Sequence, residues 1–128
     1  MAKSKSDILQ HPYIKVGRLK MSVAKAAHLK CADIYVSENY LRHIEKKHYP
    51  ELRSLGICAL DYVNLIVKNF NQIRQGSDDS VLLVIFNDND LHDSAALKLT
   101  YISKENIWEV KTAQPRSTRD ILKRKKLW

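Results

Sequence analysis

The sequence predicts an α+β domain, with helices from the first half of the chain packed on one face of a roughly four-stranded antiparallel sheet formed by the second half. Apolar residues recur at helical spacing between Leu19 and Phe70. After Asn71 they form one continuous run and two alternating ones, which is typical of strands. A capping serine, Ser117, then precedes a basic segment and predicts a short C-terminal helix. The length of 128 residues favours a single domain, 1–128.

The first half is predicted to begin with a flexible lead-in over residues 1–15, a short helix over 19–29 and a short strand over 32–36. Two longer helices, over 37–48 and 57–70, are predicted to follow. The first of the two longer helices carries most of the candidate chemistry. Ser37 is a good N-cap for it, and Glu38 lies in its first turn, where the helix dipole favours an acid. Pro50 is expected to end it, because the residue before a proline disfavours the helical region. A loop or single helical turn is predicted between Pro50 and Gly56.

The second half is predicted to contain four strands, over residues 71–74, 80–87, 97–101 and 107–112. A hairpin turn is predicted at 103–106, between the last two strands, and a final helix at 117–126. The run from Ser80 to Asn87 suits a central strand buried on both faces. A polar loop is expected over 87–94, between the second and third of these strands. Gln114-Pro115-Arg116 is expected to break the last strand.

The charge balance favours a polyanionic partner. The formal net charge is +8 and the isoelectric point is about 9.5, so nucleic acid is the first hypothesis and a merely soluble cationic protein is the alternative. A membrane partner is not predicted, because no long apolar run occurs. The N-terminal lysines are not followed by the apolar stretch of a signal peptide, so we predict a cytoplasmic location.

Neither a metal nor an organic cofactor is predicted. Cys31 and Cys58 lack metal-ligand spacing and are interpreted as reduced structural thiols. Asp88, Asp90 and Asp93 suggest a calcium loop, but that loop needs glycine at its sixth position and glutamate at its twelfth. The chain has Asp93 and Leu99 there, so a solvated loop is the better interpretation.

Two histidines in the central helix, His43 and His48, are candidates for acid–base chemistry or phosphate contact. His48 continues the apolar stripe of Leu41 and Ile44 and should therefore lie at the edge of the core. His43 lies roughly 140° around the helix from it. Binding of one metal ion by both would need a spacing of three or four residues. The alternative is that each histidine is structural or solvated.

Hydroxyl and basic side chains follow the predicted strands of the second half. Lys98 and Thr100 project from one face, and Lys111 or Thr112, depending on register, lies alongside. Such a row suits a phosphodiester backbone, although it could equally be the solvated face of a sheet. RNA cleavage without a metal needs a base for the 2′-hydroxyl, cations at the phosphate and an acid for the leaving oxygen. A histidine, Lys98 with Arg116, and a hydroxyl donor would supply that set and would favour RNA over DNA.

The order of these motifs resembles a known nuclease family. Ser37-x-x-x-Leu41-x-His43-Ile44-x-x-Lys47-His48 is followed by a long apolar helix, by Ile73-Arg74-Gln75-Gly76 and by a closing hairpin that ends Trp108-Glu109-Val110-Lys111-Thr112-Ala113. This pattern is similar to the Barnase–EndoU–colicin–RelE superfold, and closest to its phage and polymorphic-toxin branch. The resemblance covers roughly Val16 to Leu127.

The resemblance implies a metal-independent ribonuclease, often a toxin aimed at tRNA or other cellular RNA. We expect cleavage by 2′-hydroxyl attack, which leaves a 2′,3′-cyclic phosphate. An acidic immunity protein or antitoxin is the implied protein partner, and a monomer is expected. The site of action would be cytoplasm, including that of another cell into which a toxin is delivered.

The candidate site residues fall into two groups. The predicted catalytic residues are His48, His43, Lys98 and Thr112. The predicted RNA- and phosphate-binding residues are Lys47, Arg74, Thr100, Lys111, Arg116, Ser117, Thr118 and Arg119. Where the family pattern continues from Thr-Ala with an aromatic residue, this chain has Gln114-Pro115-Arg116-Ser117, which leaves the roles of Arg116, Ser117 and Thr118 open. The alternatives are a non-catalytic nucleic-acid-binding module and a basic domain that docks an acidic protein.

Overall fold

The computed structural model describes residues 13–102 and 104–128, which form six strands and five helices. In chain order these are β1 (Tyr13–Arg18), α1 (Met21–Ala27), β2 (Asp33–Ser37), α2 (Glu38–Lys47), α3 (Tyr49–Leu55), α4 (Ala59–Asn69), β3 (Gln72–Gln75), β4 (Val81–Val84), β5 (Leu91–Ile102), β6 (Glu105–Ser117) and α5 (Thr118–Leu122). The predicted α+β class is therefore confirmed.

The six strands form one mixed sheet in the order β1-β2-β6-β5-β4-β3. Every neighbouring pair is antiparallel except β2 and β6, which run parallel and pair Ile34 with Trp108 and Tyr35 with Glu109. The predicted sheet of roughly four antiparallel strands is thus wrong in strand number and in the direction of one pair. Residues 1–12 of the predicted lead-in lie outside the described residues, and Tyr13 to Lys15 belong to β1 rather than to a lead-in.

The helices do not all share one face of the sheet. α2 and α4 cover the face that we call the inner face, where Ile44 and Ile66 are fully buried in the main core. The helix α4 lies close to β1, because a Cβ added at Gly17 would come within 2.6 Å of Val67 Cγ1. On the opposite, outer face, α5 packs Ile121 in a second, smaller cluster with Leu82, Val84 and Ala96.

Ser37 and Ser117 are the N-caps of α2 and α5, as predicted. Ser37 Oγ accepts a hydrogen bond from the Tyr40 backbone N–H at 3.1 Å, and Ser117 Oγ accepts one from the Asp120 N–H at 3.1 Å. Helix α2 ends at Lys47, before Pro50, but a second helix follows at once. Pro50 lies in the first turn of α3, where its missing N–H costs nothing. No helix within the described ranges has the length and apolarity needed to cross a membrane.

The hairpin of β5 and β6 is longer than predicted. β5 begins at Leu91, so the predicted polar loop is shorter, and β6 continues through Gln114-Pro115-Arg116 to Ser117. Pro115 pairs with Asp93 of β5. The proline is tolerated because β2 pairs with β6 only at Trp108 and Glu109, so no strand needs its backbone N–H on that side.

The end of the chain covers the free edge of β3. The predicted last helix ends at Leu122 rather than Lys126, and the chain then runs beside β3. The Gln75 N–H donates to the Lys125 carbonyl at 2.8 Å, and the Ile73 N–H donates to the Trp128 carbonyl at 3.0 Å. The Trp128 ring meets Phe70 edge-on, with 5.7 Å between ring centroids.

Candidate functional site

A buried carboxylate, Glu109, is the centre of the candidate site on the outer face. Its neighbour Val110 is fully buried in the main core, so strand alternation directs Glu109 to the opposite side. Glu109 is only 5% exposed. Its Oε2 accepts a hydrogen bond from the Tyr13 hydroxyl at 3.0 Å, and its Oε1 accepts from Thr100 Oγ1 at 3.3 Å and from Lys111 Nζ at 3.2 Å. A buried carboxylate needs such partners, because its desolvation is costly.

Strand alternation places Lys111 on the same side as Glu109, at a β-bulge in β6. Leu97 pairs with Val110 and Ala96 pairs with Thr112, so Lys111 is the extra residue of β6. Its Nζ donates to the Tyr40 hydroxyl at 3.0 Å and lies 4.6 Å from the centroid of the Tyr40 ring. We call Tyr13, Tyr40, Thr100, Glu109 and Lys111 the Glu109 cluster.

The electrostatics of the cluster keep its donors protonated. Burial lowers the pKa of Lys111, but its hydrogen bond to Tyr40 and the charge of Glu109 outweigh that effect and raise the pKa above its ordinary value. Burial and the nearby Glu109 raise the pKa of Tyr13 as well. At neutral pH the cluster therefore contains an ammonium group, and the Tyr13 hydroxyl still carries its proton.

Further cations surround the Glu109 cluster. Lys98 is exposed and pairs with Glu109 across the β5–β6 ladder. On β1, Lys15 and Arg18 are about half exposed and contact Asp33 at 3.4 Å and 2.8 Å. This part of the outer face thus presents three cationic side chains, Lys98, Lys15 and Arg18, near one buried carboxylate.

The structure separates the predicted catalytic histidine from its expected partners. His48 is 7% exposed and ends α2, the helix that covers the inner face. Lys98 follows the core residue Leu97 and projects from the outer face, as does Thr112, which pairs with Ala96. The sheet lies between His48 and these two residues, so the expected combination of His48, Lys98 and Thr112 is not assembled. His43 is exposed on α2, also outside the Glu109 cluster.

Most of the predicted phosphate-binding residues outside the Glu109 cluster have structural contacts. Arg116 donates to Asp120 Oδ2 at 3.0 Å. Arg74 is buried and donates to the Gln72 side chain at 3.0 Å and the Arg124 carbonyl at 3.1 Å. Ser117 caps α5. Lys47 and Arg119 are exposed, on α2 and α5 respectively.

Thr118 is also structural, because it holds a histidine that the sequence placed in a polar loop. His92 is fully buried and stacks on Phe86, with 4.3 Å between ring centroids. Its Nδ1 accepts from the Asn87 N–H at 3.3 Å, so Nε2 carries the proton and donates to Thr118 Oγ1 at 2.7 Å. This contact joins the start of α5 to β5.

Sequence reasoning included Thr100 and Lys111 among its candidates but missed Glu109, Tyr13 and Tyr40. The signal for Glu109 was present, since it alternates with Trp108 and Val110 and therefore shares a face with Lys111. Tyr13 could not be found, because it was assigned to the lead-in. Within residues 13–102 and 104–128, no three histidine, cysteine, aspartate or glutamate side chains form a group that could hold a metal ion.

No family model, curated protein or solved structure matches this chain.

Proposed function

We propose that this protein is an RNA endonuclease that cleaves by attack of a ribose 2′-hydroxyl on the adjacent phosphate. The observation that carries the proposal is the pair of Glu109 and Lys111, joined to two tyrosine hydroxyls on the cationic outer face of the sheet. The resemblance to toxin nucleases supports tRNA or other cellular RNA as the substrate class. The histidine mechanism expected from the sequence is replaced, because His48 lies across the sheet from the cations.

The order of groups in the cluster suits this reaction. Lys111 Nζ contacts Glu109 on one side and Tyr40 on the other, at 3.2 Å and 3.0 Å. Glu109 takes the proton from the 2′-hydroxyl as the 2′-oxygen bonds to phosphorus. The bond from phosphorus to the 5′-oxygen breaks, and Tyr40 gives its proton to that oxygen. The products are a 2′,3′-cyclic phosphate and a free 5′-hydroxyl.

Lys111 has two roles in this scheme. Its ammonium group neutralises the charge that develops on the phosphate, and it stabilises the phenolate that Tyr40 becomes. Lys98, exposed beside Glu109, binds a non-bridging phosphate oxygen. Lys15 and Arg18 extend the cationic surface along β1 and contact neighbouring phosphates, which position the strand without reading its sequence.

The decisive experiment is cleavage of total RNA by the purified protein in EDTA. The wild type should produce fragments that end in 2′,3′-cyclic phosphate. Glu109→Gln and Tyr40→Phe should each lower the rate by about 100-fold or more, because each removes a proton-transfer group. Lys98→Ala should lower it by about tenfold, the loss of one charge-assisted hydrogen bond.

Two control variants make the result specific. Lys68→Ala removes an exposed lysine from α4, on the inner side of the sheet, and should leave the rate unchanged. His48→Ala should keep the wild-type rate per folded molecule, as judged by circular dichroism. Full activity in Glu109→Gln, or abolition of activity by EDTA in the wild type, would contradict the proposed mechanism.

A non-catalytic RNA-binding module is the second candidate. One observation favours it: both oxygens of Glu109 already accept hydrogen bonds, as they would if the carboxylate only organised the sheet. Fluorescence polarisation with labelled RNA separates the candidates. A binding module gives affinity that falls steeply with salt, no cut product, and the same behaviour in Glu109→Gln.

The toxin role is a further part of the proposal, tested by expression in bacteria. The wild type should slow growth, whereas Glu109→Gln should be tolerated at equal protein level. An acidic immunity protein or antitoxin would bind the cationic outer face and block access to Glu109. Co-expression of such a protein should restore growth, and equal growth of cells with wild type and Glu109→Gln would overturn the toxin role.

A further inference from the structure

An open groove of about 420 Å³ lies between the end of α1 and the last residues of the chain. The helix α1 follows β1, whereas the last residues cover β3, and these two strands are the opposite edges of the sheet. The groove therefore joins parts of the molecule that belong to the two ends of the strand order. Glu109 lies on β6, three strands from β3, so the groove takes no part in the chemistry proposed above.

Both walls of the groove are held by backbone hydrogen bonds. On the side of α1, the Leu29 N–H donates to the Ala24 carbonyl at 2.8 Å. On the other side, the Leu127 N–H donates to the Ile73 carbonyl at 2.7 Å. Because main-chain contacts fix these walls, the groove is formed before any ligand enters, as is usual for small-molecule sites.

The interior of the groove is aliphatic. Ala27 is 3% exposed and belongs to the main core, and Leu29 and Leu127 are half-buried against that core. Ala26 lines the groove from the exposed side of α1. A short hydrocarbon chain on this surface would have its own apolar area removed from water.

The rim of the groove is cationic. Lys125 and Lys126 line it and are exposed, and neither forms an ion pair or a side-chain hydrogen bond with any residue within 13–102 and 104–128. None of the described residues that line the groove is acidic. Two ammonium groups therefore attract an anion to the rim, and no carboxylate of the lining repels it.

The third polar residue at the rim, His28, has an unusual backbone conformation. It ends α1 with φ 58° and ψ 41°, in the left-handed region that favours glycine at this point of a helix. A residue with a Cβ costs free energy there. The chain nevertheless has an imidazole at this position, which lines the groove and has an N–H that can donate to an anionic oxygen. Strained positions of this kind are concentrated where side chains contact ligands.

We propose that this groove binds a medium-chain aliphatic carboxylate. The hydrocarbon chain lies against the aliphatic interior, and the carboxylate contacts the two lysines and His28. The occupant is a free small molecule rather than a lipid in a membrane, because about 420 Å³ lies within the range of pockets for small molecules. Binding holds the end of α1 against the last residues of the chain, so the ligand stabilises the folded protein.

The first test measures binding of octanoate to the whole protein by calorimetry and amide chemical shifts. Octanoate should bind and should shift the amides of Leu29 and Leu127. Both 1-octanol, which lacks the charge, and acetate, which lacks the chain, should bind at least about tenfold more weakly. The affinity for octanoate should fall as salt is added, since ion pairing at an exposed rim is screened. Octanol binding as tightly as octanoate, or no binding of octanoate, would overturn the proposal.

The second test uses two variants that alter the rim and the interior separately. Lys125→Ala with Lys126→Ala keeps the backbone hydrogen bonds of the last residues and should weaken octanoate binding about tenfold. Ala26→Leu keeps a good helix former and fills the groove from its exposed side, so it should weaken binding as well. Lys68→Ala, at an exposed lysine of α4, should bind octanoate like the wild type.

Thermal unfolding gives an independent measurement. Octanoate should raise the Tm of the wild type and of Lys68→Ala, and it should raise the Tm of the two groove variants less. The same affinity in the wild type and in both groove variants would reject this site. Binding of the protein to vesicles of anionic phospholipid, without binding of octanoate, would overturn the proposal in favour of a membrane surface.

Discussion

At the scale of the residue, Glu109 depends on donors from three different strands. Tyr13 comes from β1, Thr100 from β5 and Lys111 from the bulge in β6. A carboxylate with so little exposure would destabilise the fold if these donors were absent, because a buried charge without partners is costly. The residue that we assign to the chemistry is therefore also one on which folding depends.

Removing one of these donors should lower stability. Tyr13→Phe leaves Glu109 Oε2 without its hydroxyl partner, and the free energy of unfolding should fall by about 1–3 kcal/mol. Urea denaturation followed by tryptophan fluorescence measures the change. Tyr101→Phe, at a tyrosine that is 66% exposed, is the matched control and should be neutral. Equal stability of Tyr13→Phe and wild type would show that the hydroxyl does not support Glu109.

Sequence reasoning found part of this site for a clear physical reason. Alternation along a strand fixes which residues share a face, so Lys98 and Thr100 were placed together correctly. Alternation does not tell which face a helix will cover, so His48 was joined to residues on the far side of the sheet. Glu109 was not among the candidates, because the sequence does not show that Tyr13 and Tyr40 meet it at this position.

At the scale of the element, the docking of α5 depends on Asp120. It faces Arg116 at 3.0 Å, Arg124 at 3.3 Å and Lys123 at 3.4 Å. Burial raises the pKa of Asp120, but these cations outweigh it and the pKa is lowered. The pair with Arg116 joins α5 to the end of β6, and the pairs with Lys123 and Arg124 hold the turn that follows α5.

The lowered pKa predicts a pH-dependent contribution of Asp120 to stability. Because the folded state binds the proton less readily than the unfolded state, the contribution is present above the unfolded pKa of about 3.9 and is lost as the pH falls through the folded pKa. Asp120→Asn should therefore cost about 1–2 kcal/mol at pH 7 and less at pH 2.5. Urea unfolding at both values measures it, with Asp88→Asn in an exposed loop as control. A cost that does not change with pH would contradict the prediction.

The contact of β1 with α4 gives a second test at this scale. Gly17→Ala places a methyl group against Val67 Cγ1, a stiff β-branched side chain, and should lower the free energy of unfolding by about 1–3 kcal/mol. Val67→Ala in the same chain should recover part of that loss, relative to the two single variants. Additive effects of the two substitutions, measured by urea unfolding, would show that the residues are not in contact.

The helices α2 and α4 were predicted well because their apolar spacing is local and long, whereas α3 was predicted as a loop or a single helical turn. Ala59–Asn69 lies inside the predicted 57–70, and Glu38–Lys47 begins directly after its predicted cap. The strand β1 was missed because it is short and follows a polar, lysine-rich stretch. The end of β6 was missed because a proline inside a strand is acceptable only where one edge is free, which depends on the whole sheet.

At the scale of the whole molecule, the last residues of the chain protect the sheet. A free edge strand exposes backbone groups that can pair with another molecule, and 125–128 cover that edge of β3. The parallel pairing of β2 and β6, which the sequence did not predict, joins the β1–β2 pair to the other four strands of the sheet. Nothing local in the sequence indicates this pair, because its two strands are distant in the chain.

Deletion of Lys125–Trp128 tests this protection. The truncated protein should unfold at lower urea concentration, because it loses the packing of Trp128 on Phe70, and it should self-associate as concentration rises. Light scattering and urea unfolding measure the two effects. Lys125→Ala with Lys126→Ala keeps the backbone hydrogen bonds and should remain like the wild type. A truncated protein that stays monomeric and equally stable would contradict the protective role.

The hydrogen bond between Tyr13 and Glu109 joins residues 96 positions apart, and this has a consequence for when the Glu109 cluster can assemble during synthesis. A chain synthesised only as far as Thr100 contains Tyr13 and Tyr40 but lacks Glu109 and Lys111. The hairpin of β5 and β6 can form locally, whereas β1 and β2 must then close a long loop to reach it, which is the slow kind of step in folding. The Glu109 cluster therefore assembles only once the long-range pairing is complete, and the chemistry that we propose for Glu109 requires that step.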